Sequence, residues 1–294
     1  MLMAAFTPRD NRLRGEAVIH LVFVTFNRLD YTKLALASVL ADPAEQFSLT
    51  IWDNASTDGT VEYLRNEVND QRVDDIVFSE KNMGHTAAIN EVWGKSKADL
   101  LGKLDNDCLV TPGWTRTLAQ AHYDIPNLGV IACWHFFPED FDYEQARHKI
   151  QTFGKHRIFR HPWTCGTGLL VKRRTFERFG PIQSRGRGTT QYWLQMARAG
   201  YINGWYYPLV FQEHMDDPRS QHSRVNRMPF ERAYEHTFAY RTGFVTNMEM
   251  YKKLHEDILQ NLLSGPYDPK YYCGWRAKFR RALGRINRAI KQAQ

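Results

Sequence analysis

Leu100-Leu101-Gly102-Lys103-Leu104-Asp105-Asn106-Asp107 is a short apolar run that stops at two carboxylates one residue apart. The run reads as a buried strand, with its carboxylates at the C-terminal end. In open α/β sheets ligands bind along that edge. Two carboxylates bracketing a turn suit a hard divalent cation, which takes oxygen ligands and can bridge to phosphates. The same residues also suit a plain loop in which Asp and Asn make turn hydrogen bonds. The flanking sequence weighs between the two.

Upstream, residues 17–26 (AVIHLVFVTF) predict a first buried strand ending in Thr25, Phe26, Asn27 and Arg28. Asp30 is placed to cap a helix over 31–40. Residues 47–52 predict a second strand, followed by Asp53-Asn54-Ala55-Ser56-Thr57-Asp58-Gly59-Thr60 and a helix to about residue 69. Residues 75–79 predict a third strand. A turn at Lys81-Asn82-Met83-Gly84-His85 follows, with Gly84 able to take positive φ, then a helix to about residue 94. Such alternation means a largely parallel, doubly wound sheet. No G-x-G-x-x-G follows the first strand, so the dinucleotide fingerprint is absent.

Downstream, Pro112 opens a helix to about residue 123, and residues 128–134 predict a strand. Residues 135–162 are aromatic and polar and are expected to form one long functional loop. Residues 164–171 predict a strand opened by glycines, 173–179 a helix, 184–190 a basic loop, 191–199 a helix and 202–207 a strand. From Pro229 to about residue 263 the pattern is helical.

The 294 residues are 43% hydrophobic and 24% charged, an ordinary globular composition with room for one large or two smaller domains. No apolar run approaches the roughly 20 residues of a membrane span. No signal peptide is expected, because Met1 to Gly15 lacks an apolar stretch. Cys108, Cys133, Cys165 and Cys273 show no C-x-x-C spacing and read as reduced thiols of a cytoplasmic protein. The net charge is +7, and residues 275–294 hold seven basic residues and no acid, so the rest of the chain is balanced. A balanced body argues against a nucleic-acid partner. In the tail, Trp275, Phe279, Leu283, Ile286 and Ile290 recur at helical spacing. That pattern predicts an interfacial helix over 275–291 on an anionic membrane surface, hence a protein peripheral to the inner face of the membrane. The alternative is a helix that packs its stripe on the body.

Taken together the motifs resemble the family-2 glycosyltransferases, which have the GT-A fold. The matching stretches are VTFNR, WDNASTDGT, NMGHTAAIN, LDND and CGTGLLVKR, with the late His214, over roughly residues 18–215. The resemblance implies an α/β, Rossmann-like, mostly parallel mixed sheet flanked by helices, with a helical C-terminal extension. Residues 1–110 would bind a nucleotide-sugar, 111–220 would form the acceptor half of the same domain, and 221–294 would be the extension with its basic tail. The implied activity is a hexosyltransferase that moves a sugar from a nucleotide-sugar to a glycan or lipid-linked acceptor, in surface polysaccharide synthesis, with Mn²⁺ or Mg²⁺. Asp107 then matches the metal ligand, and Asp105 the contact to ribose or to a metal-bound water. His214 would complete the metal or diphosphate site. Thr25, Asn27 and Arg28 would line the nucleoside pocket. Asp53 and Asn54 would meet the base, Asn54 standing where the family commonly has an acid. Asn82, Gly84 and His85 would wall the ribose pocket, and Asn106 would belong to the same donor site.

The chain departs from the family at one place. Inverting members carry an acidic pair about 11 residues before a Gly-Tyr like Gly200-Tyr201; here the positions are Gly188 and Thr189, and residues 182–212 contain no Asp or Glu. A base could come from Glu139, Asp140 or Asp142, or from Glu213, Asp216 or Asp217. A retaining reaction, in which the leaving phosphate takes the proton, is the third route, with inversion favoured. Two other functions compete: a nucleotidyltransferase, which would want a glycine-rich basic loop where TFNRLD stands, and a non-catalytic, sugar-nucleotide-binding partner subunit.

Overall fold

The computed structural model describes residues 19–43, 47–183, 188–275 and 277. In chain order the elements are β1 (Ile19–Thr25), α1 (Leu29–Leu40), β2 (Phe47–Asp53), α2 (Thr60–Asn66), β3 (Val73–Phe78), α3 (His85–Lys95), β4 (Leu100–Asp105) and β5 (Cys108–Val110). Then come α4 (Trp114–Asp124), β6 (Leu128–Ala132), α5 (Tyr143–Ala146), β7 (Ile150–Phe153), β8 (His156–Arg160), β9 (Leu169–Lys172), α6 (Arg173–Phe179) and α7 (Gly188–Arg198). The chain continues with β10 (Ile202–Tyr207), β11 (Gln212–His214), α8 (Phe230–Tyr234), α9 (Phe238–Arg241) and α10 (Met248–Ser264). Among the described residues, nine strands form one mixed sheet in the order β3-β2-β1-β4-β9-β6-β10-β8-β7. β1 to β4 run parallel, as do β6 and β10. β9 lies antiparallel between β4 and β6 and joins the two halves. β5 and β11 make a separate antiparallel ribbon.

The two-residue period of the strands divides the core. On β1, Ile19, Leu21 and Phe23 face one layer with α1 and α4, while Val22 and Val24 face the other with α3 and α7. Both faces of the central strands are buried, so β1, β2 and β4 read as near-continuous apolar runs. Gly102 sits where a Cβ would collide with Leu21 and Leu170 from the strands on either side. Among the described residues no helix is long and apolar enough to cross a membrane.

Several expectations need correction. Residues 135–162 are not one loop: they hold α5 and the β7–β8 hairpin, which pairs with β10 and extends the sheet. Polar side chains on an edge hairpin hide its two-residue period. Asp30 does not cap α1: Arg28 stands at the N-cap in the left-handed region, Asp58 accepts the Leu29 N–H at 2.9 Å, and Asp30 pairs with Arg224 and Arg227. The helical run from Pro229 is broken into three helices, with Gly243 at φ 72° between the last two. The 184–190 loop falls partly, and the 275–291 tail almost wholly, outside the described residues.

Candidate active site

The C-terminal ends of β1, β2 and β4 lie side by side, with Thr25 opposite Asp53 and Val24 opposite Asp105. The chain beyond each strand stays tied to its neighbour: Asn54 N–H donates to Thr25 O at 2.9 Å and Asn106 N–H to Val24 O at 3.1 Å. Asn27 and Arg28 are both left-handed, at φ 53° and 59°. Non-glycine residues take that conformation only when the surroundings impose it. Here Ser56 Oγ accepts the Asn27 N–H at 2.7 Å and Asn27 Oδ1 accepts the Thr57 N–H at 2.7 Å. Asn106 donates its Nδ2 to Asn27 O, Thr25 Oγ1 and Thr32 Oγ1 at 2.9–3.1 Å. Asn106 and Thr25 therefore point into the protein and shape the turn.

That turn aims Arg28 inward. Its Nη1 donates to both oxygens of Asp216 at 3.0 and 2.9 Å, and its Nη2 to Asp107 Oδ2 at 2.9 Å. Burial opposes the guanidinium's charge, but Asp216 and Asp107 outweigh it, so the group stays charged well above its ordinary range. Burial would raise the Asp107 carboxyl, but Arg28 and then His214 overcome it, and Asp107 is held well below the usual carboxylate range. The β5–β11 ribbon sets His214 opposite Cys108. Ligand atoms of Asp107, Cys108 and His214 lie within 4.8 Å of one another. Burial pushes the Cys108 thiol far up, so it stays protonated beside Asp107 Oδ1. The donor set left for a hard cation is a carboxylate and an imidazole, which fits Mn²⁺ or Mg²⁺ better than a thiolate metal.

Asp105 belongs to a different pair. Its side chain meets the ammonium of Lys103, a buried lysine on β4. Its N–H donates to Thr167 Oγ1 at 3.0 Å. His85, first residue of α3, is held neutral by burial and then by Lys103, against a pull from Asp105. Asp53 is buried; Oδ2 accepts the Ser56 N–H at 2.9 Å, while Oδ1 has no protein partner. Asn54 Oδ1 faces inward and accepts from Trp52 Nε1 at 3.1 Å and Met83 N at 3.2 Å. Asn82 Oδ1 accepts the Gly84 N–H at 2.9 Å, which fixes the turn before α3, and Gly84 takes φ 76°. Of the sequence-predicted donor residues, Asn54, Asn106 and Arg28 are thus committed to protein partners.

The six acids differ sharply. Asp216 is locked by Arg28. Asp140 and Asp217 share Arg219. Asp142 accepts the Gln145 N–H at the start of α5, Glu213 accepts the Ser220 hydroxyl, and Glu139 is exposed. Three features escaped sequence reasoning. Lys103 is the single charge inside an apolar strand, which is the one signal that could have flagged it. The C-terminal extension reaches the β1 edge: the His236 ring stands edge-on to Phe26 at 5.5 Å, and the Arg241 guanidinium lies 5.5 Å from the same ring. Two further histidines that act electrostatically on one another and on His214, His135 and His255, both pack against Phe136, at 4.3 and 4.6 Å. Burial and then the neighbouring His214 and His255 push His135 down to about 3.

No curated protein matches the chain in sequence. Among solved structures, the mannosyltransferase PcManGT from Pyrobaculum calidifontis, in complex with GDP-Man and Mn²⁺, aligns at TM-score 0.59 and 17% identity, over 93% of this chain and 81% of that one. GalNAc-T7 with UDP, GalNAc and Mn²⁺ aligns at TM-score 0.54 and 14% identity, over 88% of this chain and 56% of that one. At these identities the likeness is one of fold, and the fold is the GT-A arrangement of a mixed sheet flanked by helices. Residues 21–193 match the family profile of glycosyl transferase family 2, which is more than half of the sequence, and the chain belongs to that family.

Proposed function

We propose that this chain is a metal-dependent, inverting glycosyltransferase that moves a sugar from a nucleotide-sugar to a hydroxyl of a glycan or lipid-linked acceptor. The observation that carries the proposal is the meeting of Asp107 and His214, far apart in sequence, at the sheet edge beside Asp53 and Asp105. Asp107 and His214 would hold Mn²⁺ or Mg²⁺, which when bound neutralises the charge that develops on the leaving diphosphate. Arg28 keeps Asp107 ionised and oriented before any ligand arrives. Asp53 offers its unpartnered Oδ1 to an N–H of the nucleobase. Asp105, steadied by Lys103, faces the ribose side, where Asn82, Gly84 and His85 close the wall. Residues 1–110 would then serve the donor and 111–220 the acceptor, with the tail over 275–291 holding the enzyme to an anionic membrane where a lipid-linked acceptor for surface polysaccharide resides.

A thermal-shift panel of nucleoside diphosphates with and without Mn²⁺ tests the donor site. A metal-dependent rise with one diphosphate is the expected result. A response to nucleoside triphosphates alone would favour a nucleotidyltransferase, and a diphosphate response with no transferred product would favour a sugar-nucleotide-binding partner subunit. Incubation with a mixed sugar-nucleotide pool, followed by product analysis, then identifies the sugar.

A further inference from the structure

Attack by an acceptor hydroxyl with inversion needs a proton acceptor, and the usual acidic pair is replaced here by Gly188 and Thr189. Of the six candidate acids, three are already bound to arginines: Asp216 to Arg28, and Asp140 and Asp217 to Arg219. A carboxylate fixed in such a pair is a poor base, because the arginine stabilises its charged form. Asp217, however, has a second neighbour. His255 on α10 places Nε2 at 3.6 Å from Asp217 Oδ2. Arg219 holds the rest of that carboxylate, donating its backbone N–H and Nε to Oδ1 at 2.9 and 3.0 Å and Nη2 to Oδ2 at 2.8 Å. The His255 ring is one-fifth exposed and rests against Phe136 at 4.6 Å, while Asp217 is 5% exposed. At 3.6 Å the contact is an ion-pair distance and not a hydrogen bond, and His255 Nε2 is a buried atom with no hydrogen-bond partner, so its nearest carboxylate is one that favours the ring's charged form.

Resting on the glycosyltransferase reading above, we propose that His255, paired with Asp217, is the base that deprotonates the acceptor. The acceptor oxygen forms its bond to the anomeric carbon as that carbon's bond to the phosphate oxygen breaks. The electron pair leaves with the nucleoside diphosphate. The hydroxyl proton passes to Nδ1 of His255, and the imidazolium so formed is stabilised by Asp217 and later returns its proton to water. The charged and titratable groups facing the ring are Asp217 and Arg219, Asp140, His214, His135, and Tyr251 on α10 itself. The Asp217 N–H donates to His214 O at 3.0 Å, which would set the pair next to the proposed metal site and make α10 part of the catalytic domain.

The experiment measures release of nucleoside diphosphate, with water as acceptor and Mn²⁺ present, from the sugar-nucleotide that wild type turns over. His255→Gln is expected to lower kcat by about 10²-fold or more, with KM for the donor and the Mn²⁺-dependent thermal shift unchanged. His255→Glu is expected to recover part of the rate, with the acid limb of the kcat–pH profile displaced by about two pH units toward acid. Asp217→Asn is expected to lower kcat and to move the same limb. The proposal is overturned if His255→Gln stays within about threefold of wild type. It is equally overturned if the wild-type profile has no limb between about pH 5 and 8, a result that needs no variant to fold. Wild type that releases diphosphate from no donor and shows no Mn²⁺-dependent thermal shift with any nucleoside diphosphate sinks the glycosyltransferase reading, and this one with it.

Discussion

Arg28 is the residue on which the site's electrostatics turn. It is 5% exposed and bridges Asp107 and Asp216, which stand far apart in the sequence. Removing one partner of a buried ion pair leaves the other charge uncompensated, which costs far more than the pair contributes. Arg28→Met is therefore expected to destabilise the fold by about 3 kcal/mol, read from the urea midpoint at constant m-value. An effect below about 1 kcal/mol would mean that water reaches both carboxylates. Asp107→Asn is a different case, because Arg28 keeps its two bonds to Asp216. That variant is expected to fold and to lose both turnover and the Mn²⁺-dependent response to nucleoside diphosphate. Near wild-type turnover would remove Asp107 from the metal site.

At the scale of elements, two connections carry the proposed function. The β5–β11 ribbon brings His214 to Asp107, and α10 brings His255 to Asp217. α10 is fastened by Lys149, a wholly buried lysine whose ammonium meets the carbonyl of Leu262 in the last turn and His161 Nδ1 at 3.1 Å. A cation at a helix C-terminus complements the dipole. Burial nevertheless pushes the lysine down to about 7. Below that pH the folded and unfolded chains both carry the proton. Between about 7 and 10.4 the unfolded chain holds a proton that the folded chain lacks, so stability rises with pH across that window. Wild type is expected to gain on the order of 2 kcal/mol from pH 7 to 9.5, and Lys149→Met to lose that gain. Parallel curves for the two proteins in chemical denaturation would show that Lys149 is protonated in the folded state throughout.

At the scale of the whole molecule, charge is divided between a balanced body and a basic end. Flotation with anionic vesicles is expected to carry the full chain and to leave behind a chain ending at Cys273, which keeps the packing of Tyr272 on Trp163. Binding should weaken as salt is raised, since the attraction of exposed charges is screened. Undiminished binding of the shortened chain would clear the tail of this role. Chelation with EDTA is expected to abolish transfer while leaving the fold intact, because Arg28 already neutralises Asp107 without metal. Restored transfer on adding Mn²⁺ back completes that test.

How much of this was legible in one dimension follows from the reach of each interaction. Strands β1, β2 and β4 were readable because strands buried on both faces must be apolar throughout, and each ends where its polar ligands begin. Asp53 and Asp105 are the last residues of β2 and β4 and Asp107 lies two residues on, so local pattern alone put them on one edge. The β7–β8 hairpin was not readable, since an edge element is half polar and its period is masked. The partners of the charged groups were beyond any local pattern. Arg28 looked like a pocket residue until the fold closed it between Asp107 and Asp216. Lys103 and His255 carry no signature of their neighbours. The sequence by itself determined the central parallel strands and the acids at their C-terminal ends, because burial and backbone turn chemistry act on neighbouring residues. Only the tertiary structure decided which cation each carboxylate holds and which imidazoles stand near it, because Coulomb attraction and desolvation depend on distance in space.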